Sequence, residues 1–369
     1  MSLLQTLQMR LDQTPEMPFV EFMQLALYAP NEGYYSSGLQ KLGMQGDFTT
    51  APELTPLFGQ TLANQCSQIL NTLTNPIVFE YGAGSGRLCV DILRRLQQLN
   101  TLPEAYLILE VSANLRHRQQ ELVKKEIPEL ADKVQWLDSW PTKSFNGVIL
   151  ANEVLDAMPV HRFMLTEAGL LESYVMLEKG TLIERFKPCE NPRLTQFVQE
   201  RLNLPSTPYL SEVNLFLDDW ILNNFQLLES GAVILIDYGF PRHEYYHPDR
   251  NQGTLMCHYQ HHAHSNPLLH PGEQDITAHV DFTHVAEAGH KAGFHVAGYT
   301  NQASFLLGNG LLSLTTELEN EKESFRATQA IKQLLQPSEM GELFKVIALT
   351  KNLTLDLNGF QLHDKRVSL

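Results

Sequence analysis

Apolar positions in residues 19–30 (FVEFMQLALYAP) recur at helical spacing through Phe22, Leu25 and Ala26, and the run stops before a proline. That predicts a helix. The stretch that follows, up to Glu53, is rich in Gly, Ser and Thr and reads as loop. Residues 55–70 put Leu57, Phe58, Leu62, Cys66 and Ile69 on one side of a second helix. After Pro76 the pattern changes. A short β-prone run at 77–82 leads into a helix at 87–99, with Leu88, Ile92, Leu96 and Leu99 inward. Strands are expected at 105–111, 134–137 and 147–152, and Ser112 can cap the helix after the second of them. Strands alternating with helices predict a parallel, doubly wound sheet.

The alternation then breaks. Residues 161–188 read as a β-meander with turns near 167–169 and 179–180. An amphipathic helix is expected over 211–229, closed by Gly231. A fifth strand follows at 232–239, apolar enough to be buried on both faces. Residues 240–281 look loop-like, and the last strands fall at 294–302 and 344–352. The expected architecture is α/β, with seven mostly parallel strands. Residues 1–75 form an N-terminal helical cap with a loop that can fold over a ligand. Residues 76–369 form the core, with insertions at about 161–210 and 240–290.

Composition narrows the partners. Lys plus Arg number 27 and Asp plus Glu 42, a formal charge of −15 over 369 residues. That balance argues against nucleic acid, whose phosphates need a basic field, and against anionic lipid. It suits a basic substrate. No run reaches the roughly 20 apolar residues of a membrane span. The opening residues lack a signal peptide's apolar core and an Arg-rich transit pattern, so a cytoplasmic location is expected. Four scattered cysteines give no disulfide framework and no Cys-based zinc site.

The sharpest local motif is EYGAGSG, residues 80–86, between a strand and a helix. Gly82, Gly84 and Gly86 allow a tight turn and close approach of a ligand. A dinucleotide fingerprint needs a third glycine where Arg87 stands, which argues against a nicotinamide-dependent oxidoreductase. The spacing is GxGxG with Glu80 two residues earlier, which suits S-adenosylmethionine, a cofactor without a pyrophosphate. Glu110, at the end of the second strand, can accept both ribose hydroxyls. Asp138, after the third strand, can receive an adenine amino group. The alternative reading is an ordinary strand-to-helix turn with surface acids.

A second constellation, ANEVLDAMPVHRF, follows the fourth strand. Methyl transfer needs an aligned acceptor and a group to direct a proton. For a guanidinium acceptor, Glu153 and Asp156 are the natural clamps, because its N–H fork matches carboxylates. Asp156 as a simple turn cap before Pro159 is the alternative. GDFTTAPE, residues 46–53, either starts a helix or folds over the cofactor as a lid. Eleven of the 14 histidines lie between His243 and His295, but HYQHHAH is irregular and no metal is expected. In PGEQDITAHVDF, Asp275, Thr277, His279 and Asp281 alternate with apolar residues; His279 or Asp275 can face the acceptor, or all can be structural polar groups.

The ordered blocks LALYAPNEGYY, GDFTTAPELTPLFGQ, FEYGAGSGRLCVDIL, LEVSANLRHRQ, ANEVLDAMPVHRF, IDYGFPR and HPGEQDITAHVDF, with FLLGNGL beyond them, resemble the MidA-like family of S-adenosylmethionine-dependent methyltransferases. Its mitochondrial members are complex I assembly factors regarded as protein arginine methyltransferases. The resemblance implies a class I methyltransferase (Rossmann-like) fold, S-adenosyl-L-methionine as cofactor, and cofactor contacts at Gly82, Gly84, Gly86 and Glu110. It adds Gly46, Asp47 and Thr50 to the cofactor pocket and sets Asn152, Glu153 and Asp156 beside the acceptor. Ala51, where the family often has Ser, and Val154-Leu155, in place of a bulkier pair, are small departures. Together with the motif reading, the expected cofactor set is Gly46, Asp47, Thr50, Glu80, Gly82, Gly84, Gly86, Glu110, Asp138 and Asn152. The expected catalytic set is Glu153, Asp156 and His279. The implied partner is a protein bearing an arginine, such as a respiratory complex I subunit. The alternative is an assembly chaperone that uses the fold to bind a client subunit.

Overall fold

The strand expected after Pro76 forms at Ile77–Tyr81 (β1) and starts a sheet. In this computed structural model the described residues are 2–37, 50–203, 208–317 and 321–369, with side chains at 321–323 left aside. The remaining sheet strands are Ala105–Leu109 (β2), Val134–Leu137 (β3), Phe145–Asn152 (β4), Leu228–Phe240 (β5), His295–Asn301 (β6) and Phe344–Lys351 (β7). They lie in the order β3-β2-β1-β4-β5-β7-β6. Neighbours from β3 to β5 are parallel. Strand β7 runs antiparallel to both β5 and β6. A short eighth strand pairs with β5 off this order, so the expected seven-stranded, mostly parallel sheet is an eight-stranded mixed sheet.

Helix α1 (Pro56–Leu70) buries Leu57, Phe58, Leu62, Cys66 and Ile69, the side expected from their spacing. Its start is set by Thr55, whose hydroxyl accepts the Leu57 amide, and by Pro56 in the first turn. Helix α2 (Arg87–Gln98) buries Leu88, Ile92 and Leu96. Helix α3 (Ala113–Glu126) is capped by Ser112, as expected. These helices and the sheet enclose one apolar core, into which Val78, Ile108, Val148, Leu150 and Ile234 project.

One expectation fails at residues 211–229. A strand, Tyr209–Val213, precedes a shorter helix, Leu217–Leu227, and β5 begins at Leu228. Gly231 therefore closes no helix. It pairs with Gly147, which pairs with Ile77. A Cβ on Gly231 would lie 1.8 Å from the Gly147 carbonyl oxygen, and one on Gly147 would lie 1.8 Å from that of Ile77. Only glycine permits this approach of three backbones.

The chain divides into two compact units, though not at residue 75. Met1–Lys41, Leu155–Leu217 and Phe240–Asp281 make one; Leu42–Val154, Asp218–Gly239 and Phe282–Leu369 make the sheet unit just described. The N-terminal piece thus clusters with the expected insertions. In that first unit the helix Phe19–Tyr28 buries Phe22 and Ala26. The expected meander is present: His161–Thr166, Gly169–Glu178 and Thr181–Pro188 pair antiparallel in succession. Left-handed Lys179 and Gly180 make the second turn. Residues 240–281 are not simply loop. They hold a helix, Arg242–Tyr245, and three antiparallel strands, His262–His264, Met256–Tyr259 and Asp275–Thr277. Among the described residues no helix is long and apolar enough to cross a membrane.

Candidate active site

The strand order reverses direction between β1 and β4, and the loops leaving the carboxyl ends of these strands form the crevice where open α/β sheets bind ligands. The glycine loop leaves β1 there. Gly82, Gly84 and Gly86 have φ of 55°, 55° and 88°, a backbone that a side chain would strain. Among the described residues a Cβ on Gly82 would meet only Val154, at 3.8 Å, so none of them crowds the loop at that point. The Gly82 amide donates to the Leu109 carbonyl of β2 at 3.1 Å, which sets the loop beside Glu110.

Glu110 is 5% exposed. Its carboxylate accepts the Ser112 amide at 2.9 Å and the Gln119 side-chain amide at 2.9 Å. Burial pushes its carboxyl above the ordinary value, against the lowering effect of those two donors and of Arg116. Gln119 also donates to the Gly84 carbonyl at 2.9 Å and accepts from the Trp136 indole at 2.9 Å. One amide thus fixes the acid to the glycine loop. Sequence reasoning missed Gln119, because a glutamine on an exposed-looking helix carries no signal of its partners.

Arg87, in place of the third glycine, makes a two-pronged contact with Glu126 at 2.9 and 2.7 Å. Those bonds draw the Glu126 carboxyl down to about 2. Glu53 accepts a short hydrogen bond from Ser85 within the glycine loop. The end of the GDFTTAPE motif is therefore fastened to the loop. Thr50 is the residue before the short helix Ala51–Leu54, so the capping account of this stretch fits its position, although its side chain makes no cap bond. Gly46 and Asp47 lie outside the described residues.

Glu80 and Asp138 are placed differently from the rest of the expected cofactor set. Glu80 is 3% exposed and turned into the core, where the Tyr106 hydroxyl donates to it at 2.8 Å. Burial pushes its carboxyl up to about 8. Asp138 is 87% exposed at its side chain and pairs with Arg116 at 2.6 Å. Arg116 also holds the carbonyls of Glu110 and Leu137, tying the ends of β2 and β3 together.

At the end of β4, Asn152 donates to the Glu153 carboxylate at 3.2 Å. Glu153 has φ of 53°. Asn152 and Glu153 belong to the same unit as the glycine loop and Glu110; Asp156 and His279 belong to the other. There Asp156 is 5% exposed, and its carbonyl accepts the Ala278 amide at 3.0 Å. The neighbouring His279 stacks on Phe240 with ring centroids 5.3 Å apart. Asp275 accepts the Tyr35 hydroxyl at 2.9 Å. The His-rich tract forms a hairpin turning at Gln260 and His261. Among the described residues no group of three or more His, Cys, Asp or Glu is arranged to hold a metal.

Residues 61–300 match the family model of S-adenosyl-L-methionine-dependent methyltransferases. A crystal structure from Burkholderia thailandensis, bound to S-adenosyl-homocysteine, is 39% identical, covers 100% of this chain and 96% of that one, and superposes with a TM-score of 0.95. A native structure from the same organism is 38% identical over the same shares, with a TM-score of 0.91. The mouse protein named protein arginine methyltransferase NDUFAF7, mitochondrial, is 27% identical over 94% of this chain and 84% of its own length. Its Danio rerio namesake is 28% identical over 96% of this chain and 88% of its own length. The glycine loop and the buried acid at the end of β2 fit the cofactor these findings imply. The chain belongs to the family of S-adenosyl-L-methionine-dependent methyltransferases.

Proposed function

We propose that this methyltransferase modifies an arginine of a protein substrate, with Glu153 at the transfer site. The observation that carries the reading is the position of Glu153. It follows β4, the strand hydrogen-bonded to β1, and β1 feeds the glycine loop. Bound S-adenosylmethionine supplies a methyl group already activated on a sulfonium. The chain's own groups have two tasks, to hold that cofactor and to align the acceptor. Glu110 accepts ribose hydroxyls, Gly82 gives the ligand room, and Gly86 makes room for Gln119, which ties the loop to Glu110. Glu153 grips the guanidinium N–H fork and receives the proton the acceptor sheds. Relatives named as protein arginine methyltransferases support the choice of acceptor. Asp156 and His279 are proposed as acceptor-side groups on the residue-level grounds given for them. A respiratory complex I subunit is the proposed substrate protein, on the resemblance. A cytoplasmic location belongs to the same proposal, and the four free thiols suit a reducing compartment.

The test is to incubate the purified protein with methyl-labelled S-adenosylmethionine and an extract of cells that lack it. Mass spectrometry then identifies the labelled residue. Label on a protein arginine is expected. Label on lysine, on a small molecule or nowhere would remove the arginine reading.

A further inference from the structure

Glu153 is the only acidic residue with a positive φ among the described residues. A left-handed backbone is unfavourable for a residue that carries a side chain, and it persists only where neighbours enforce it. The enforcing contacts are in the structure. The Glu153 amide donates to the Ile236 carbonyl of β5 at 2.9 Å. The next amide, of Val154, donates to the Asp237 carboxylate at 3.2 Å. The other Asp237 oxygen accepts the Tyr238 amide at 2.9 Å. Asp237 is fully buried, at 0% exposure. A carboxylate so deep in the protein is costly unless its oxygens are engaged. Here one oxygen engages the turn after β4 and the other the end of its own strand.

We propose that Asp237 is the positioning residue of the transfer site. It grips the amide that follows Glu153, holds Glu153 in its left-handed conformation, and so aims the Glu153 carboxylate at the acceptor. This rests on the reading that Glu153 sits at the transfer site. Asp237 acts through the backbone and need not touch substrate or cofactor. The bonds given above run from Asp237 to the Val154 and Tyr238 amides, whereas the glycine loop and Glu110 are tied together by Gln119. Its loss therefore acts on turnover and leaves cofactor affinity alone.

The experiment is a double-mutant cycle on the full chain, with Glu153→Gln, Asp237→Asn and the pair together. Turnover, KM for the acceptor and calorimetric affinity for S-adenosylmethionine are read for each. Glu153→Gln should lower kcat by more than about tenfold, and Asp237→Asn by about tenfold. Cofactor affinity should stay within about twofold in both. The pair should be no worse than Glu153→Gln alone, because the aim of a missing carboxylate is irrelevant. Fully additive losses, or wild-type turnover in Asp237→Asn beside an impaired Glu153→Gln, overturn the positioning role. Wild-type turnover in Glu153→Gln removes instead the reading beneath it, and the proposal with it. If Asp237→Asn does not fold, Asp237→Ser, smaller and still an acceptor, repeats the cycle. Failure of both to fold would make Asp237 structural and overturn the proposal.

Discussion

Gln119 donates one side-chain nitrogen to two acceptors at once, the Glu110 carboxylate and the Gly84 carbonyl, each at 2.9 Å. The acid and the glycine loop are therefore held in register by a single amide. Gln119→Leu removes both bonds and strips the Trp136 indole of its acceptor. Affinity for S-adenosylmethionine should fall about 10- to 100-fold, the usual cost of losing a hydrogen bond to a charged group in a buried site. Calorimetry reads it directly, and an unchanged Kd would show that Glu110 needs no such support.

Glu110→Ala is the stronger version. It deletes the carboxylate that accepts the ribose hydroxyls and leaves the Ser112 amide without its acceptor. Cofactor binding should drop more than about 100-fold, and the thermal midpoint of the cofactor-free protein should fall by a few degrees, because the buried Ser112 and Gln119 amides lose their acceptor. Retained binding in this variant would move the ribose site elsewhere.

Glu80 titrates against the fold. The ordinary carboxyl value is 4.5, and burial raises it to about 8 in the folded protein. Between those values the folded chain binds more protons than the unfolded one, so stability from this group is complete at low pH and is lost as pH rises through the folded value. Glu80→Gln keeps an acceptor for the Tyr106 hydroxyl and cannot ionise. Its melting midpoint should exceed that of the wild type by about 2–6 °C near pH 8.5, and the gap should close toward about pH 5. A constant gap across that range would contradict the buried, protonated state.

Gly231→Ala tests the backbone contact at the entry to the sheet. The new methyl would lie 1.8 Å from the Gly147 carbonyl oxygen. Strands β4 and β5 would have to part there, at a cost of more than about 3 kcal/mol. A urea midpoint equal to that of the wild type would show that these strands yield more easily than their spacing allows.

Much of the sheet was legible because its strands are apolar runs between turn residues. GVILAN and AVILIDYG announce buried strands, and the spacing in RLCVDILRRL announces one helical face. The segment 209–231 was not legible. YLSEV is short, and two of its polar residues, Ser211 and Glu212, are fully buried by tertiary partners. Glu212 takes the Thr254 amide at 2.9 Å, a partner 42 residues away that no local pattern shows. At the site, the glycines and Glu110 stood out because each ends or follows a strand. Gln119 and Asp237 did not, because their meaning lies in which backbone atoms they reach. Glu80 stood out for its place in the motif, yet its side chain points inward, since alternation along β1 puts it on the Val78 face.

Arg87 supplies a last consequence. Its departure from the dinucleotide spelling is also what braces α2 against α3, through the paired contact with Glu126. A glycine at this position would bring the motif closer to that of another cofactor class while removing one of two α2 arginines from Glu126; Arg94 would remain, at 3.0 Å from the carboxylate and 2.8 Å from the carbonyl. Ligand choice and mechanical support are written into one codon. A change there would loosen the tie between these helices, and Arg94 would carry what is left of it.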